Sequence, residues 1–210
     1  GMVVRNDLIG HVKAYVDKVN LTSAGNVLVK ADGSQNLSAT SDATATSSGG
    51  SAYGSGTSLA VNAMIVTNTV QGGTDAYVTN GTLTTTNSGN INVEAHNTSS
   101  IDAINKSAVS TGDTGVGVTL AFNTVGYESQ NVLFRAVDAL IGTDIGTANP
   151  TDATAYIRDT PVNAAGDVSV IAHSDAQLTS ELTNETTSAA SAVVNASGMA
   201  VGVVLASNMM

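Results

Sequence analysis

The chain has no cysteine and no tryptophan, only two phenylalanines and two prolines, and aromatic residues make up 3% of its 210 positions. Without cysteine there is no disulfide framework, thiolate metal site or sulfur nucleophile. Without large rings a thick core is out of reach. The 42% of hydrophobic residues are mostly Ala and Val, so any core is thin. Charge is scarce too: charged residues make up 11% of the chain, against about 25% in ordinary soluble domains. Seven Lys and Arg residues, scattered from Arg5 to Arg158, face 17 acidic ones, and the formal net charge is −10. A phosphate backbone requires a basic face, so nucleic acid and anionic membrane are both unsuitable partners. No apolar run reaches the roughly 18 residues of a membrane-spanning helix, and no membrane insertion is expected.

Ser, Thr, Asn and Gly take the place of the missing charges. Low charge with many Val, Ile and Thr residues argues for folded β structure and against disorder, which goes with high charge and few β-branched side chains.

The strongest signal is internal repetition. A phrase Gly-[Asn/Asp]-[Val/Ile]-x-Val-x-Ala stands at Gly25 to Ala31, Gly89 to Ala95 and Gly166 to Ala172, with spacings 89 − 25 = 64 and 166 − 89 = 77. Gly with Asn or Asp suits a turn that tolerates positive φ, and the alternation that follows points one face of a strand inward. Ala-Tyr-[Val/Ile] precedes each phrase, at Tyr15, Tyr77 and Tyr156, with a longer turn only in the middle copy. Downstream, Leu37, Ile101 and Leu178 open further runs of period two, the mark of strands with one buried face. A fourth word, Leu-Ala-x-Asn, ends at Asn62, Asn123 and Asn208.

Short strands in related blocks bury their apolar faces by stacking on one another. The expectation is an all-β fold, a parallel β-helix or β-solenoid, forming one elongated fragment over 1–210. Its three blocks cover about 12–69, 74–127 and 153–210, and the long spacing suggests two or three turns of chain per block. An insertion at about 128–152 interrupts the pattern. Within it Leu133, Ala136, Val137, Leu140 and Ile141 recur at helical spacing, Gln130 or Asn131 opens the run, and Gly142 sits where a cap would. This predicts one short amphipathic helix near 129–141 on the flank or over an end.

The words Phe122-Asn123-Thr124-Val125-Gly126-Tyr127, Ser129-Gln130-Asn131-Val132-Leu133-Phe134, Val137-Asp138-Ala139-Leu140-Ile141-Gly142 and Gly198-Met199-Ala200-Val201, the last followed by Leu205-Ala206-Ser207-Asn208, carry a resemblance. They resemble the repeat region of large filamentous-adhesin or leukotoxin-like exported proteins of Gram-negative bacteria. The resemblance implies an adhesin-like surface or secreted protein with a parallel β-helical shaft. It implies no catalytic residue.

Several side chains invite a sharper reading. His96 and His173 share one repeat position with Asp32 and suggest a stacked metal site, but such sites need three or four converging ligands, and the plainer reading is an exposed residue just after the strand. His11 has no partner in sequence and is expected to be exposed. Asn62, Asn123 and Asn208 suit carbohydrate contacts or, more simply, coil corners. Tyr15, Tyr77 and Tyr156 suit a sugar-stacking platform or a cross-strand ladder. Alternating Thr82, Thr84 and Thr86, with Thr44 and Thr46, raise ice binding, but the set does not recur in all copies. Asp144, Asp152, Asp159 and Asp167 are candidates for Ca²⁺ or plain turn carboxylates. Glu94, Glu181 and Glu185 supply the acids a glycosidase would need, without an evident basic or aromatic neighbourhood.

The sequence therefore reads as a non-catalytic structural or adhesive shaft segment of an extracellular or cell-surface bacterial protein. No catalytic, cofactor-binding or metal residues are assigned and no cofactor is expected. The partners expected are neighbouring repeats of the parent chain, glycans or cell surfaces, and further copies of the chain in a homo-oligomer. The alternatives are a polysaccharide-active β-helix enzyme and a glycan-binding module.

Overall fold

The computed structural model describes residues 1–48, 58–126, 139–140, 150–189 and 198–210. Among them are thirteen strands: β1 (Met2–Ile9), β2 (Val12–Asp17), β3 (Asn20–Ser23), β4 (Val27–Ser47), β5 (Leu59–Gln71), β6 (Thr74–Thr79), β7 (Thr82–Thr85), β8 (Ile91–Thr111), β9 (Thr114–Val125), β10 (Ala153–Arg158), β11 (Val162–Asn163), β12 (Val168–Ser188) and β13 (Met199–Met209). The chain is all-β. The amphipathic helix expected near 129–141 is not among these elements. All of that span except Ala139 and Leu140 lies outside the described residues, and Leu140, expected on the packed face, is 75% exposed.

The strands form four sheets, ordered β1-β5-β9-β13, β2-β6-β10, β3-β7-β11 and β4-β8-β12. Every pairing is parallel. A parallel neighbour cannot follow through a hairpin, and here it always comes from the next repeat. Tyr15, Tyr77 and Tyr156 are register partners, as are Ala31, Ala95 and Ala172, and Leu37, Ile101 and Leu178. Each block supplies one strand to each sheet, so a block is a single layer and not the two or three turns its length suggested. The reason is strand length: β4, β8 and β12 each run unbroken for 21 residues, about 70 Å at 3.3 Å per residue.

Register also corrects the fourth repeated word. Leu59 pairs with Thr114 and Asn62 with Gly117, whereas Ile65, Val66, Thr67 and Asn68 lie opposite Leu120, Ala121, Phe122 and Asn123. The true equivalents are Asn6, Asn68, Asn123 and Asn208.

Strict alternation explains the long strands. Along β8 each odd-numbered side chain is buried and each even-numbered one is partly or fully exposed. Among the described residues a small apolar cluster of Ala43, Met64 and Val66 joins β4 to β5, and two larger ones fill the interior beside it. In one, Val29, Val78, Leu83, Ile91 and Val93 join β4 and β8 to β6 and β7. In the other, Val70, Ile101, Ala103 and Val125 join β8 to β5 and β9. Each fully buried Val, Leu or Ile contributes roughly 1.5–3 kcal/mol. Polar side chains including Asn97, Ser99, Asn105 and Ser107 occupy the remaining inward positions of β8.

The turns repeat as faithfully as the strands. Lys18, Asn80 and Asp159, the residues just past β2, β6 and β10, all adopt the left-handed conformation, with φ of 57°, 58° and 49°. The longer middle turn is accommodated by Asn87 and Ser88, at φ 50° and 60°. The glycines opening the repeated phrase serve another purpose than positive φ: among described glycines only Gly72 and Gly126 have it. A Cβ on Gly89 would lie 2.4 Å from the Gly25 carbonyl oxygen, and one on Gly166 would lie 2.7 Å from the Ser88 oxygen. Close stacking of successive layers is what demands glycine there.

Candidate functional site

The residues singled out by the sequence form ladders that run from layer to layer. The second residue of the repeated phrase shows how. Asn26 Oδ1 accepts from the Asn90 backbone N–H at 2.8 Å, and Asn90 Oδ1 accepts from the Asp167 N–H at 2.8 Å. Each side chain thus satisfies the backbone of its equivalent in the next layer, which explains the Asn or Asp at that position.

A second ladder crosses the interior. Asn6 Nδ2 donates to Asn68 Oδ1, Asn68 Nδ2 to Asn123 Oδ1 and Asn123 Nδ2 to Asn208 Oδ1, each at 2.8 Å. Asn123 Nδ2 also reaches Ser180 Oγ at 3.0 Å. These asparagines lie within strands and not at coil corners, with Asn68 and Asn123 fully buried. Asn62 is buried too but stands outside the ladder, donating to the Ala43 carbonyl at 3.0 Å and to Ser107 Oγ at 2.9 Å. Sequence matching missed Asn68 and Asn6. The signal available was an apolar residue two positions on, at Leu8, Val70 and Val125.

Tyr15 stacks on Tyr77 with ring centroids 5.3 Å apart, and Tyr77 on Tyr156 at 5.0 Å, with interplanar angles of 12° and 2°. The Arg158 guanidinium lies 5.5 Å from the Tyr156 centroid. Rings stacked face to face turn their edges outward, and a sugar-stacking platform requires open faces. The arrangement is a cross-strand ladder.

Beside it, His11 is not isolated. Its Nε2 lies 2.7 Å from Asp75 Oδ2, and Lys13 Nζ is 3.6 Å from the same oxygen. At the following corner Asp17 Oδ1 accepts from Asn80 Nδ2 and from Thr79 Oγ1, both at 2.9 Å. Those bonds, Asn80 first, hold the Asp17 carboxyl below its ordinary value of 3.8.

His96 and His173 are register partners within β8 and β12, on the outer face and not in a turn after the strand, and Asp32 completes the row. The acidic candidates are dispersed. Asp152, Asp159 and Asp167 stand at separate turns around β10 and β11, and Asp144 lies outside the described residues. Glu181 and Glu185 are four residues apart on β12, and Glu94 pairs with Ile171, ten residues before Glu181. At 3.3 Å per residue those separations are about 13 and 33 Å along the strand. Among the described residues no row of threonines crosses all three layers: Thr44 pairs with Ala108, and Thr84 pairs with Thr22 and Asn163. Among the described residues, no three His, Asp or Glu side chains converge in a metal-binding group, and no helix is long and apolar enough to cross a membrane.

One interior feature was invisible in sequence. Asn105 is fully buried with both amide atoms unpartnered, and the hydroxyls of Thr69, Thr119 and Thr124 are likewise buried without partners. Compared with known proteins, the chain matches no family model, no curated protein and no solved structure.

Proposed function

We propose that this chain is a segment of a β-solenoid shaft, a non-catalytic structural or adhesive part of a large bacterial surface or secreted protein. The observation that carries the reading is the in-register, parallel pairing of each strand with its sequence equivalent one repeat away. Such a design extends indefinitely by adding layers of about 4.8 Å. Its recurring side chains, the Asn and Tyr ladders, bind the next layer.

The last layer supports continuation by neighbouring repeats of a parent chain. Val168 and Val170 are 50% and 46% exposed, although their register partners Ile91 and Val93 are fully buried. Their strand edge is open to pairing. The extracellular or cell-surface setting is proposed from the resemblance of the quoted words to the repeat region of filamentous-adhesin and leukotoxin-like proteins.

The test is a paired assay of the whole chain: product release from a panel of polysaccharides, and binding to a glycan array. The shaft reading expects neither turnover nor a discrete glycan preference. Sustained release of reducing or unsaturated ends would overturn it in favour of an enzyme, and tight selective glycan capture in favour of a binding module.

A further inference from the structure

The outer face of the β4-β8-β12 sheet carries a pair of imidazoles that the ladders above leave unexplained. His96 and His173 occupy the same register position on adjacent parallel strands, with ring centroids 6.2 Å apart and an interplanar angle of 61°. Adjacent strands lie about 4.8 Å apart, so both rings leave the sheet side by side in the same direction. A tetrahedral ion bound at about 2.1 Å by one nitrogen from each ring needs those nitrogens about 3.4 Å apart. The side chains are 37% and 60% exposed, so rotation about their own bonds reaches that spacing without moving the backbone.

Carboxylates flank the pair on the same face. Glu94 Oε2 lies 3.8 Å from His96 Nε2, and Asp175 Oδ2 lies 2.9 Å from His173 Nε2. Asp32, beyond His96 in the row, is engaged by Lys30 at 3.0 Å. We propose that His96 and His173 form a two-imidazole chelate for a late first-row divalent cation such as Ni²⁺, Cu²⁺ or Zn²⁺. Asp175 is placed to orient His173 or to add an oxygen ligand, and water fills the other positions. Imidazole nitrogen selects these ions over Mg²⁺ and Ca²⁺, which take oxygen ligands. Because no three ligands already converge among the described residues, this is an open surface chelate and not a closed structural centre. It rests on the outer-face geometry alone and stands whether or not the chain is part of a shaft.

The experiment is calorimetric titration of the whole chain with NiCl₂, with MgCl₂ as the contrast. One Ni²⁺ per chain is expected, together with no heat from Mg²⁺ and a loss of affinity of about 10-fold or more in His96→Ala and in His173→Ala. His11→Ala should leave binding unchanged, because His11 belongs to the Asp75 pair. Ring NMR signals of His96 and His173 should shift together on titration in the unsubstituted chain, a readout independent of how the variants fold. The proposal is overturned if no saturable Ni²⁺ binding occurs, if binding survives both substitutions, or if only the His11 ring responds.

Discussion

Asn68 Nδ2 donates to Asn123 Oδ1 at 2.8 Å between neighbouring layers, and both side chains are fully buried. Removing the Asn123 rung strands the buried amide of Asn68, whereas Asn208 on the other side is exposed and turns to water. Each unsatisfied buried group costs about 1–3 kcal/mol. Asn123→Ala is therefore expected to lower unfolding stability by roughly 1–3 kcal/mol, counting the one buried group at Asn68. Urea denaturation checks this, and a loss below the error of the measurement would mean the ladder is not formed.

Glycine at the head of the repeated phrase is demanded by the layer beneath, so the position matters more than the residue type. A Cβ at Gly89 meets the Gly25 carbonyl oxygen at 2.4 Å, whereas one at Gly25 meets nothing within 4 Å. Gly89→Ala should destabilise by roughly 1–3 kcal/mol through overpacking, and Gly25→Ala should stay within about 0.5 kcal/mol. Thermal melts of the two variants give the comparison.

Asn105 supplies the opposite sign. Its amide is buried and unpartnered, and its register partner one layer on is Leu182. Asn105→Leu should raise stability by about 1–3 kcal/mol by removing an unsatisfied polar group. A drop on denaturant titration would mean that the amide has a partner in solution.

Asp17 makes the acid response local. Its carboxyl is held below 3.8 by bonds from Asn80 and Thr79, so the folded value lies under the unfolded one. The associated stability is present above the unfolded value and is lost as pH falls through the folded one. Carboxyl NMR should place the Asp17 midpoint below 3.8, and Asn80→Ala should move it upward. An unchanged midpoint in that variant would remove Asn80 as the cause.

The parts of the fold that could be read from sequence were those where repetition reflects a direct layer-to-layer bond. Gly89 and Asn90, Tyr77, and Ala95 recur because each touches its own equivalent, and they align without error. Repetition misled where only burial is shared. Ile65, Val66 and Thr67 do the work of Leu120, Ala121 and Phe122, and the literal match at Leu59 to Asn62 drew the alignment six residues away. The layer count failed because inward polar residues such as Asn97 and Asn105 break the apolar period, so one 21-residue strand resembled several short ones. The pairing of His11 with Asp75 depends on neighbours a whole repeat apart, which no local pattern reports.

Parallel pairing in register, one layer per repeat, is the claim on which the rest depends, and the absence of native cysteine allows a clean test. Asn36 and Ser100 are register partners on the outer face, with Ser100 Oγ donating to Asn36 Oδ1 at 2.7 Å. At about 4.8 Å between strands, their Cα atoms fall within the roughly 4.4–6.8 Å that a disulfide accepts. Non-reducing mass spectrometry of Asn36→Cys with Ser100→Cys should find an intramolecular bridge after mild oxidation. The pair Asn36→Cys with Asp102→Cys, displaced by two residues, should remain reduced. Bridging of the displaced pair in preference to the aligned one would contradict the register and the layered fold built on it.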